Sequence, residues 1–353
     1  MNEATIFNMP QRGARLPFVD ISKGIVILLC VLGHAVAFQG ITFFYIFSFH
    51  MPFFFLISGW CRENRNADEK FLPNIKKWFV KLIIPSLLFK AVRFWNPENP
   101  VDWLKTIFLD PEAEWFLSSM FVANIIFFFY KKFDLKSRNK YLKIGVTGAF
   151  VCIPPLFAAY YLYLELHMKK GLFFSFDCVL IALSFMIIGY CIHKCNRRFP
   201  IPKMTVSLAV LTVILLAICA KLILVNSYVN ISNAMTGNSD IFFYFSAVFL
   251  SCLVVYLSGY MQLAGYKNKL MAAVNRLLEL WGRYSLWIYL VHLILFDYFI
   301  KFTTEKQIVM NSGLKSFVFT ALAMLIITPV LYAVDIIKHK RALKKADKKV
   351  TEV

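Results

Sequence analysis

Long apolar runs alternate along the chain with short segments rich in lysine and arginine. A membrane-crossing helix needs about 20 apolar residues. Windows that meet this fall near 18–38, 42–60, 74–93, 115–130, 141–163, 172–192, 204–225, 241–263, 278–300 and 315–337. The pattern predicts an all-α integral membrane protein of about ten transmembrane helices. Residues 1–17 read as a polar leader, 18–337 as one ten-helix domain and 338–353 as a basic tail. Spans and connectors take up nearly the whole length and leave no room for a separate soluble domain.

Of the 353 residues, 59% are hydrophobic and 17% charged, with a mean hydropathy of +0.63. Soluble domains run near 45–50% apolar and about 25% charged, so an ordinary cytosolic enzyme is excluded. The net charge of +19 raises the question of nucleic acid, but the 39 Lys and Arg lie mostly in alternate connectors. Segments on the side of the two termini hold 27 of them and the opposite connectors hold 5. This asymmetry is a topology signal placing both termini in the cytoplasm, N-in and C-in, and no nucleic-acid partner is expected. The tail KHKRALKKADKK suits anionic membrane lipid.

Eight cysteines fall mainly inside apolar runs, at spacings that resemble neither a zinc site nor a disulfide framework. They read as small core residues, and no metal is expected. Ala35-Val36-Ala37 has the small-residue pattern of a signal-peptidase site. However, Asp20 and Lys23 interrupt the apolar segment before it and the leader is long, so the first span is expected to be retained. Asn230-Ile231-Ser232 is a glycosylation sequon in pattern alone.

An ionisable side chain within a span costs on the order of 3 kcal/mol on insertion scales and usually faces a bundle interior or cavity. At about 100° per residue, Asp20, Lys23 and His34 project from one face of the first span. The plainer alternatives are a local ion pair for Asp20 and Lys23 at the inner membrane edge and a hydrogen-bonded core histidine for His34. With a rise of about 1.5 Å per residue, His34, His50, Asp177 and His292 fall in one layer about 17–24 Å above the inner edge. Lys23, Lys81 and Arg283 fall in a basic layer about 7–11 Å above it. A neutral buried imidazole can take a proton from a hydroxyl or carry an acyl group itself, and the basic layer suits phosphates, those of coenzyme A among them. The same residues would serve a transporter or flippase of a glycan or small molecule. Its mark would be two halves of matching topology, and the sequence has no such repeat.

The residues themselves carry a resemblance. Arg15-Leu16-Pro17-Phe18-Val19-Asp20-Ile21-Ser22-Lys23-Gly24-Ile25, continuing to Val31-Leu32-Gly33-His34, resembles the opening signature of membrane acyltransferase family 3, with a basic residue, a ten-residue gap and a histidine. Phe49-His50-Met51-Pro52-Phe53-Phe54-Phe55-Leu56-Ile57-Ser58-Gly59 resembles its second-span motif. Lys81 to Pro85 resembles its basic-x3-Pro motif, Trp115-Phe116-Leu117 its Trp-Phe-Leu block, and the stretch from Trp281-Gly282-Arg283-Tyr284-Ser285 to Tyr289-Leu290-Val291-His292 its closing block. The five blocks occur in family order.

The resemblance, closest to the fucose 4-O-acetylase-like branch, implies a ten-helix acyltransferase of a bacterial inner membrane. Such an enzyme moves an acyl group, usually acetyl, from acetyl-CoA to a hydroxyl of a surface polysaccharide or its lipid-linked precursor. It implies His34 as base or acyl carrier, with Asp20 and Lys23 ordering the first helix. Lys23, Lys81 and Arg283 would meet the coenzyme, and His50, Trp115 and His292 the acceptor, joined by Asp177 from its depth in the span and Glu114 from the acidic connector. Lys23 and Lys81 stand where many relatives carry Arg, and no appended hydrolase-like domain is expected after the tenth span. Trp95, Trp103 and Trp115 flank a connector with Asp102, Asp110, Glu112 and Glu114. Acidic and aromatic residues together suit carbohydrate, and equally an interfacial belt beside an acidic loop.

Overall fold

The computed structural model of the chain describes residues 15–35, 41–62, 69–109, 115–165, 176–198, 205–233 and 235–351. Within these, the side chains of 109, 153–165, 176–177, 197–198, 233 and 342–351 are left aside. The described residues are nearly all helical, with one antiparallel bridge joining Asn230 to Met235. In chain order the helices are α1 (Pro17–Ala35), α2 (Ile41–Phe47), α3 (His50–Trp60), α4 (Phe71–Trp78), α5 (Ile84–Arg93), α6 (Pro100–Leu109) and α7 (Trp115–Lys136). There follow α8 (Lys140–Glu165), α9 (Phe176–Arg198), α10 (Val206–Asn226), α11 (Asp240–Gly265), α12 (Lys269–Arg283), α13 (Ser285–Glu305) and α14 (Ser312–Thr351).

Among the described residues, eight helical segments are long and apolar enough to cross a membrane. They coincide with eight of the ten windows. The window at 74–93 is helical, but Lys76, Lys77, Lys81, Lys90 and Arg93 give it more charge than the other spans carry. The window at 141–163 is helical as α8, with its side chains described as far as Cys152.

Three windows are interrupted, each for a local reason. The second window breaks after Phe47 because Pro52 cannot donate to the Ser48 carbonyl and its ring crowds that group. Between α4 and α5 a π-helical turn, Phe79–Ile83, takes up the slack where Pro85 leaves the Lys81 carbonyl without its helical donor. The ninth window breaks at Tyr284, so its apolar span starts at Ser285, while α12 is amphipathic and starts at an Asn268 cap that accepts from the Met271 N–H at 3.1 Å.

Two compact units make up the chain, residues 1–15 with 40–256 and residues 16–39 with 257–353. In the first, α3 and α9 touch backbone to backbone: a methyl on Gly59 would overlap the Met186 carbonyl, and one on Gly189 the Leu56 carbonyl. Small residues that let helices approach this closely are the membrane substitute for a hydrophobic driving force. Asp134 of α7 accepts from Tyr190 (2.6 Å) and Lys194 (2.7 Å) of α9, so its carboxylate is satisfied where it is buried. α10 is apolar on all sides and keeps most of its side chains outside the protein packing, as a lipid-facing helix does.

In the second unit α1 lies against α12, α13 and α14. Its contact with α12 again runs through glycine, since methyls on Gly24 and Gly282 would overlap the carbonyls of Leu278 and Asp20. Gly24→Ala and Gly282→Ala are each expected to destabilise the protein by about 1–3 kcal/mol, read as a lowered thermal midpoint in detergent. Ala at Gly145, whose surroundings are open, is the control and should leave the midpoint unchanged. Equal midpoints for all three variants would remove the close α1–α12 packing.

Candidate active site

On α1, Asp20, Lys23, Cys30 and His34 are spaced by three, seven and four residues and so share one face. Pro17 suits the first helical turn, and Asp20 within it complements the helix dipole. Asp20 and Lys23 are an ion pair at 2.6 Å. About 16 Å further along the helix, His34 Nδ1 lies 2.8 Å from the Cys30 carbonyl oxygen. A carbonyl only accepts, so Nδ1 carries the proton and donates it, which leaves Nε2 as a basic lone pair. The same backbone latch fixes His292 on α13, with Nδ1 2.9 Å from the Ile288 carbonyl, and His50 on α3, with Nδ1 2.8 Å from that of Ile46.

The rings of His34 and His292 meet edge to face with centroids 5.0 Å apart. His292 is fully buried beside Phe296 and Tyr289, whereas His34 is only partly covered. Cys30 Sγ stands 3.8 Å from His34 Nδ1. Two imidazoles, each latched at Nδ1 to its own helix, thus occupy one place between α1 and α13.

A second cluster forms where α12 ends. Arg283 Nη1 pairs with Asp335 of α14 at 3.0 Å, and Arg283 Nε donates to the Glu279 carbonyl at 3.4 Å. The Tyr284 hydroxyl donates to the same Asp335 oxygen at 3.1 Å, and the Lys338 ammonium lies 4.6 Å from the Tyr284 ring centre. Glu279 is on α12, outside the membrane-spanning helices. Burial pushes its carboxyl above the ordinary value, the Arg283 charge opposes this, and the Asp20 charge adds to it. The basic layer is therefore an ionic corner, with Lys23 on Asp20 and Arg283 on Asp335. A phosphate arriving there exchanges carboxylate for phosphate at the guanidinium.

In the first unit, Lys81 is exposed on the π-helical turn, and a basic-x3-Pro spacing is the one that sets the proline four residues past the lysine whose carbonyl it frees. His50 is buried against Phe47, with ring centres 4.8 Å apart. Trp115 starts α7 with its ring centre 6.5 Å from that of Phe55, and Trp95 meets Trp103 edge to face at 4.7 Å. Asp177 stands in the first turn of α9 and its side chain lies outside the described residues, as do Asp110, Glu112 and Glu114.

Two residues of these clusters are not singled out by motif or by depth. Asp335 sits inside the last apolar window, so the rule that charges in spans have work to do singles it out. Cys30 is found only through its four-residue helical step to His34.

A family model described as an acyltransferase domain matches residues 16–334. The stretch includes every residue of the two clusters except Asp335 and Lys338. The chain is also similar to the nodulation protein NolL of Mesorhizobium japonicum, 28% identical over 126 residues that cover 30% of this chain and 34% of that protein. It thus spans about a third of the length of that curated relative. No solved structure matches.

Proposed function

Because this chain belongs to membrane acyltransferase family 3 and is an integral membrane acyltransferase, we propose that it transfers acetyl from cytoplasmic acetyl-CoA to a hydroxyl of a cell-surface polysaccharide or its lipid-linked precursor. The membrane of this reading is the bacterial inner membrane, crossed ten times with both termini inside. The observation that carries it is the His34 ring, latched at Nδ1 to the Cys30 carbonyl 2.8 Å away and lying 5.0 Å, centre to centre, from the ring of His292.

In the reaction, His34 Nε2 takes the proton of the acceptor hydroxyl as its oxygen attacks the thioester carbonyl. The carbon–sulfur bond then breaks, and the coenzyme sulfur leaves with the proton that His34 returns. The Nδ1–H bond to the backbone carbonyl of residue 30, which does not depend on the side chain there, holds the ring through both proton movements and stabilises the imidazolium between them. Arg283 and Lys23 receive the coenzyme phosphates, and Lys81 is assigned to the coenzyme on its basic-x3-Pro motif alone. His50, Trp115 and His292 are assigned to the acceptor on the resemblance of their motifs, Asp177 on its depth in the span, and Glu114 on the acidic and aromatic connector it stands in.

Coenzyme A is made in the cytoplasm and its phosphates cannot cheaply enter hydrocarbon. Label from acetyl-CoA is therefore expected to enter glycan only when the donor reaches the cytoplasmic face of sealed, oriented vesicles. Donor use from the outer face would remove the two-sided mechanism. For the orientation, single cysteines at Asn230 and Asn238 in a cysteine-free background should react with an impermeant thiol reagent on intact spheroplasts, and one at Lys136 should not. Labelling at Lys136 alone would invert the topology.

A further inference from the structure

The histidine pair has a third neighbour that the transfer reaction does not use. Cys30 is wholly buried, one helical step from His34 and on its face, and one donor atom from each of Cys30, His34 and His292 lies within 4.8 Å of the other two. We infer that these three residues form a binding site for a thiophilic divalent cation, zinc above all, whose occupancy switches the enzyme off.

The chemistry of the set is selective. One thiolate and two imidazoles suit zinc, cadmium and cobalt and discriminate against magnesium and calcium, which take oxygen ligands. Tetrahedral zinc stands about 2.3 Å from sulfur and 2.0–2.1 Å from nitrogen. The donors therefore need to close by little more than an ångström, a side-chain adjustment. Both rings are latched at Nδ1 to a backbone carbonyl, at 2.8 Å for His34 and 2.9 Å for His292, the kind of support that orients metal-ligating histidines. His292 also packs against the rings of Phe296 and Tyr289, and among the described residues the group that could hold an ion here contains no carboxylate. His34, the partly exposed member, gives the ion a way in.

On binding, the Cys30 thiol loses its proton to solvent, a metal–sulfur bond forms, and one ring-nitrogen lone pair from each of His34 and His292 is donated to the metal. His34 can then no longer accept the acceptor's proton. The inhibitory consequence rests on the reading of His34 as the base. The binding itself does not.

The test uses the purified full chain in detergent. Titration with cobalt(II) is expected to give a thiolate-to-cobalt charge-transfer band that saturates at one equivalent, is displaced by zinc and is unaffected by magnesium. Zinc should inhibit acetyl transfer over the same concentration range. Cys30→Ser, nearly isosteric, and Cys30→Ala should retain transfer, lose the band and require at least about tenfold more zinc for inhibition, since even an outer-shell loss costs 10–100-fold in metal affinity. Absence of the band in the wild type, or equal zinc sensitivity of wild type and both Cys30 variants, would overturn the site. A band with zinc bound and transfer unchanged would keep the site and instead overturn the assignment of His34 as base.

Discussion

Replacing His34 by alanine is expected to lower acetyl transfer by about 10²- to 10⁴-fold, the range a positioned general base contributes, with membrane level and thermal midpoint close to wild type. The separation of activity from stability follows from where the ring sits. His34 is only partly covered, and its ring is latched to the Cys30 carbonyl within its own helix, so truncation leaves α1 with its glycine contact to α12 intact. His292 makes the contrast. Its ring is fully buried among aromatics, and His292→Ala should cost stability as well as rate, at a few kcal/mol for a large buried side chain. His34→Gln, which retains polarity without a base, should be as inactive as the alanine variant. Membranes carrying matched amounts of His34→Ala that label glycan at the wild-type rate would end the assignment.

Arg283→Ala is expected to raise the KM for acetyl-CoA by about 10- to 100-fold, because a hydrogen bond to a charged group contributes roughly 1.5–3 kcal/mol, with a smaller change in kcat. The Asp335 contact sets the sign of a companion variant. Asp335 holds Arg283 at 3.0 Å in the structure, so a phosphate must displace it. Asp335→Asn, keeping the Tyr284 hydroxyl bond in place, should leave the KM unchanged or lower it. Arg283→Lys should fall between, since an ammonium cannot offer phosphate two parallel donors. Steady-state kinetics in vesicles decide the matter. If Arg283→Ala and Asp335→Asn raise KM alike, the pair is a structural tie between α12 and α14 and the coenzyme phosphates bind elsewhere.

Much of this arrangement was legible in local sequence. Apolar windows longer than a bilayer is thick force helices, because only intrahelical bonding satisfies the backbone in lipid. Eight of ten windows met that standard among the described residues. Reading them as uninterrupted failed at Phe47, at Phe79–Ile83 and at Tyr284. Averaged hydropathy sees composition, whereas Pro52 and Pro85 act through one missing donor each, and the polar positions Asn275, Arg276, Glu279 and Arg283 make α12 amphipathic. The layer of cations was placed by helical rise alone, which reports height and not partners. The structure shows Lys23 and Arg283 each with a carboxylate.

The sequence by itself determined the helical class, the membrane as solvent, the shared face of Asp20, Lys23 and His34 and, through five ordered motifs, the acyltransferase family. Each of these depends on periodicity, composition or residue order, which survive without knowing how helices rotate against one another. Tertiary structure alone decided that His34 meets His292 at 5.0 Å, that Cys30 joins them, and that Asp335 holds Arg283. The contacts between helices join residues 52 to 262 positions apart in the chain. They are set by the rotational phase and close approach of helices, which here turn on Gly24 and Gly282 admitting backbone to backbone where any larger residue would overlap a carbonyl.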